Sequence, residues 1–181
     1  LVRKIATSKG AMLKVFTDEV LAYIDTNRND VDMAEFISPL EAALTDLSDL
    51  TSDLLTKSEG NINELGASAN DYLHVFGYTA MAYVWAKMVD VSLIKLQDGT
   101  LDQSVIENDE DFYTSKLHTA RYYFSRLLPR RLSLIESINS SIDKLSTKKK
   151  AISIKISEVE GKFLSVPAKE LQYARLQRVL S

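Results

Sequence analysis

The segment Asp111-Phe-Tyr-Thr-Ser-Lys-Leu-His-Thr-Ala-Arg-Tyr-Tyr-Phe-Ser-Arg-Leu-Leu-Pro-Arg130 reads as one long helix, rich in aromatics and punctuated by Lys and Arg. Leu117, Ala120, Phe124 and Leu128 recur at spacings of three and four, so they share one helical face. Glu110 and Asp111 place carboxylates where a helix N-terminus favours them. Pro129 is expected to kink or end the helix, because its ring clashes with the carbonyl four residues earlier. Helix is expected to resume from Arg131 to about Leu145.

Working outward, the same periodicity recurs. A third helix is predicted from Ile62 to about Leu96, closed by Asp98-Gly99. Tyr72, Val75, Phe76, Thr79, Tyr83 and Ala86 share one of its faces. Gly66, Ala67, Ala69, Gly77, Ala80 and Ala82 are small, which predicts a central helix approached closely on more than one side. Gly77 disfavours a helix interior by about 1 kcal/mol against alanine, so a packing reason is expected there. A second helix is read from Ser38 as N-cap with Pro39 at the first helical position. Its stripe is Leu40, Leu44, Leu47, Leu50 and Leu54, and Gly60-Asn61 stops it. Asp32 to Ile37 is read as a separate short helical turn. A first helix is read from Val2 to Thr26, with Met12, Phe16, Val20, Tyr23 and Ile24 on one face, before a turn at Asn27 to Asp30. Thr100 to Glu110 is read as a mobile acidic connection.

Beyond Lys148-Lys-Lys-Ala, which interrupts the pattern, Ile152, Ile156, Val159 and Phe163 fit a helix. Ile152, Ile154 and Ile156 also alternate as a strand would, but no other strand is available to pair with them. Val166-Pro167 precedes a last short helix with Leu171, Ala174, Leu176 and Leu180. The expected fold is all-α: an up-down bundle of four long helices plus one or two short C-terminal helices. Its expected division is a bundle domain over 1–146 and a helical extension over 147–181, packed on the same domain.

Composition narrows the function. The 181 residues carry a net charge of −3, 45% apolar residues and no cysteine. An acidic balance argues against a nucleic-acid surface, which needs clustered Lys and Arg. The lack of cysteine removes disulfides, thiolate metal sites and cysteine nucleophiles. No signal peptide is visible. The most apolar stretch, Val75 to Ile94, is interrupted by Lys87 and Asp90, which disfavours a membrane span. A cytoplasmic location is expected.

Chemistry-bearing motifs are sparse. His74 and His118 lack the partner spacing of a zinc site and fit satisfied or exposed histidines better. The acidic run from Asp102 to Asp111 lacks the glycine of a calcium loop. No phosphate-binding glycine loop or nucleophile elbow occurs. Arg121, Arg126, Arg130 and Arg131 suggest a phosphate-rich ligand, since guanidinium forks bind phosphate. The competing reading pairs Lys116 and Arg121 with acids on neighbouring helices, such as Asp71. Phe76, Tyr83, Trp85, Tyr122, Tyr123 and Phe124 are read as core or interface.

The landmarks Tyr72-Leu73 to Gly77, Tyr83 to Lys87 with Trp85 between them, Phe112-Tyr113, Lys116-Leu117, Ala120-Arg121, Phe124 and Leu128-Pro129-Arg130 occur in one irregular order. In that order the chain resembles the helical C-terminal domain appended to one branch of the acyl-CoA dehydrogenases. The resemblance covers roughly Ile62 to Ser146, and more loosely the helices before it. It implies a flavin-dependent oxidoreductase of fatty-acid metabolism as parent, which uses FAD to introduce an α,β double bond into an acyl-CoA thioester. It places the proton-abstracting glutamate and the flavin contacts upstream, so no catalytic, cofactor-binding or metal-binding residue is carried over. The landmark positions Tyr72, Gly77, Trp85, Phe112, Tyr113, Lys116, Arg121, Phe124, Pro129 and Arg130 are expected to serve packing or ion pairing. The chain begins at Leu1 rather than Met and is read as a fragment without the active site. The implied partners are the dehydrogenase core of the same polypeptide and further copies in a homo-oligomer, with acyl-CoA only through the parent. The alternative is a stand-alone helical interaction module; an enzyme in its own right, with a ligand site between the third and fourth helices, is the weakest reading.

Overall fold

The computed structural model describes the backbone of residues 1–59, 62–97 and 106–164, and the side chains of 1–59, 65–97, 110–139 and 151–159. The fold is all-α, with no strand among the described residues. Among the described residues six α-helices follow in order: α1 (Val2–Thr7), α2 (Ala11–Asn27), α3 (Ala34–Ser58), α4 (Ile62–Gln97), α5 (Ile106–Tyr122) and α6 (Arg131–Leu164). Residues Leu1–Asn139 form one compact unit and Ser140–Ser181 a second.

The contacts define an up-down order in the first unit. Thr51 meets Tyr72 and Ala43 meets Thr79, so α3 and α4 run antiparallel. Tyr123, just past α5, reaches back to Tyr78 on α4. On the other side, Phe16 lies on Phe76 and Tyr23 on Tyr83, so α2 runs parallel to α4. The core gathers Val20 and Ile24 of α2, Phe36, Leu40 and Leu44 of α3, Ala82, Ala86 and Val89 of α4, and Leu117, Ala120, Phe124 and Leu128. Every leucine of the predicted α3 stripe is buried.

Several helix boundaries differ from the sequence reading. The first helix is broken at Ser8 to Gly10. Lys9 and Gly10 take positive φ values of 49° and 84°, and the Gly10 N–H donates to the Ile5 carbonyl at 2.9 Å. This left-handed cap satisfies the orphan carbonyls of α1 and turns it so that Val2 and Ile5 are buried. Met12, assigned to the buried face, is more than half exposed; Leu13 takes its place. The second helix begins at Ala34, not at Ser38. Asp30 Oδ1 accepts the backbone N–H groups of Asp32 at 2.9 Å and Met33 at 3.4 Å, which starts the turn earlier. Burial of Phe36 and Ile37 then fuses the expected short turn with the helix. Pro39 sits inside the helix. The carbonyl its ring displaces is that of Glu35, an exposed residue in the first turn, where water can replace the lost bond.

The fourth helix begins at Ile106, ahead of Glu110. It passes through a wide π-helical turn at Tyr123–Leu127 and a tight 3₁₀ turn at Leu128–Arg130. Widening the helix just before Pro129 moves the carbonyl that its ring would strike. α6 continues through the Lys148 run without a break, and Ile152 to Val159 are helical and exposed. Gly60-Asn61, Asp98 to Val105, and everything from Ser165 on, including the last predicted helix, lie outside the described residues.

Candidate functional site

Of the landmark residues, Tyr72, Trp85 and Phe124 pack in or against the core, Phe112, Tyr113 and Lys116 line an open groove, and Gly77, Arg121, Pro129 and Arg130 lie at the surface. Tyr72 is buried, and its hydroxyl lies 2.7 Å from Thr51 Oγ1. Thr51 donates its only proton to the Leu47 carbonyl at 2.6 Å, so Tyr72 is the donor. Burial raises the Tyr72 phenol above its ordinary value. Phe124 packs edge-on against Phe36 at 5.3 Å. Trp85 lies 6.4 Å from the Tyr123 ring, whose hydroxyl donates to the Tyr78 carbonyl at 2.8 Å.

The arginines do not converge. Arg121 is held by Glu35 at 2.8 Å, with both side chains about half exposed. Arg131 is buried on Asp46 at 2.8 Å. Arg126 and Arg130 are exposed. The two best-positioned guanidiniums are therefore occupied by carboxylates, and a shared phosphate site is not assembled. Asp71, the suggested ion-pair partner, instead accepts from Ser137 at 3.2 Å. Lys116 lies over the Phe112 ring, 4.9 Å from its centroid. His74 and His118 are exposed, and no group of three potential metal ligands occurs among the described residues.

The groove lies between α4 and α5. Tyr83, Val84, Lys87, Met88, Val91 and Ser92 form one wall, and Phe112, Tyr113 and Lys116 the other, around about 510 Å³. Phe112 is 52% exposed, an unusual position for a phenylalanine, and no described residue covers it. The lining is almost wholly apolar. Lys87 Nζ rests 5.0 Å from the Tyr83 centroid, so both ammonium groups at the rim sit over aromatic faces. Among the described residues neither lysine has a carboxylate within ion-pair distance.

The groove continues into a face of α4 that the other described residues leave open. Leu73, Met81, Val84, Val91 and Ile94 are all exposed there. A Cβ added at Gly77 or Gly66 would meet nothing within 4 Å. The expected packing reason for Gly77 is thus absent within this chain's described residues: the small residues Gly66, Gly77 and Ala80 look outward, while α2 and α3 cover the opposite side. Near the other end, Gly66 and Ala69 line a second groove with Val2, Arg3 and Ala6 of α1, of about 340 Å³.

Among the described residues, the groove is apolar and no titratable groups converge on it. The family model described as acetyl-CoA dehydrogenase C-terminal like matches residues 16–147, well over half of the chain. The chain belongs to that family. The match takes in α2 and α3 as well as the landmarks of α4 and α5. No curated protein matches the chain. No described helix is long and apolar enough to cross a membrane. For this family member, the signal of the bare face was present in the sequence as Leu73, Val84 and Val91 spaced by eleven and seven among small residues. What sequence alone does not indicate is which side of α4 the rest of the bundle fills.

Proposed function

We propose that this domain is the non-catalytic C-terminal part of a flavin-dependent acyl-CoA dehydrogenase, and that its role is structural. In this reading the parent removes two hydrogens across the α,β bond of an acyl-CoA thioester, and this domain covers the dehydrogenase core and shapes its assembly. The observation that carries the structural role is the apolar face of α4, uncovered among the described residues, with its groove at Phe112. Monomeric proteins rarely expose so continuous an apolar surface unless a partner covers it.

The groove does not fit FAD. Its walls present only hydroxyls and two lysines between apolar side chains, with no row of donors and acceptors for a flavin edge and no amide cradle for a pyrophosphate. In this reading the flavin belongs to other domains of the parent.

The test is the native polypeptide, captured from its source cells with an antibody against this chain. The expected result is a species much larger than 20.3 kDa that carries FAD and reduces it on addition of an acyl-CoA. A flavin-free species of 20.3 kDa would overturn the reading in favour of a self-standing module.

A further inference from the structure

We draw no further inference here: the strongest candidate, the apolar groove between α4 and α5 with Lys87 and Lys116 over the aromatic rings at its rim, belongs to the site already described, and nothing in the structure shows what covers it.

Discussion

At the scale of single residues, hydroxyl and guanidinium partners decide what a substitution does. The Tyr23 hydroxyl is buried between Tyr83 and the core without a hydrogen-bond partner among the described residues. Tyr23→Phe removes an unsatisfied group and keeps the ring, so chemical denaturation should show a change between zero and about 1 kcal/mol in favour of the variant. A loss larger than that would mean a partner exists. The two arginine pairs should behave differently. Arg131 is 8% exposed and Asp46 33%, so Arg131→Ala strips the partner from a partly buried carboxylate and should cost about 2 kcal/mol. Arg121→Ala removes an exposed pair and should cost less than about 1 kcal/mol. Equal losses in urea titrations of the two variants would contradict this ordering. Neither pairing could be assigned from the sequence, because Glu35 and Asp46 are 86 and 85 positions from their arginines.

At the scale of elements, the two glycines Gly10 and Gly77 form a matched contrast. Gly10 sits at a φ of 84°, where a side chain costs about 1–2 kcal/mol. Gly77 is helical with open space at its Cβ. Gly10→Ala should therefore lower the thermal midpoint and Gly77→Ala raise it, the latter by the equivalent of up to about 1 kcal/mol. The opposite signs would show that helix continuity, not the break, is preferred at Gly10. These elements also show what was legible beforehand. The α3 stripe from Leu40 to Leu54 was readable because local periodicity alone determines a buried face. The length of α4 was readable for the same reason. The break at Gly10 carried a signal, a glycine in the predicted first helix, that the continuing apolar spacing outweighed. The start of α3 was misplaced because Ser38-Pro39 is a strong local cap signal, whereas burial of Phe36 and Ile37 is a tertiary effect. Of the candidate site, the residues were visible but their common exposure was not: periodicity locates a face without saying whether anything covers it.

At the scale of the whole molecule, the buried phenols make stability depend on high pH. Burial raises Tyr23, Tyr72 and Tyr123 above the ordinary tyrosine value, with Asp90 adding to the effect at Tyr23 and Tyr78 at Tyr123. The folded state thus favours the neutral form. That contribution is complete below about pH 10, where the unfolded chain's phenols are also protonated, and declines as pH rises towards the folded values. Urea midpoints should be level from about pH 7 to 9 and fall beyond about pH 10. Of the eight tyrosines, these three should develop phenolate absorbance only as the chain unfolds. A midpoint that holds through pH 11 would contradict the assignment.

The π turn at Tyr123–Leu127 has one more implication, for angular phase. A π turn holds one residue more than the α-helical path it replaces, and one residue rotates everything downstream by about 100°. Arg131 faces Asp46, and Ile138 faces the interior, on the far side of that rotation. Shortening Tyr123–Leu127 by a single residue would turn Arg131 towards water and a solvent-facing neighbour towards the core. The turn works as a spacer in angle, and its length should tolerate change far less than the exposure of Ser125 and Arg126 suggests.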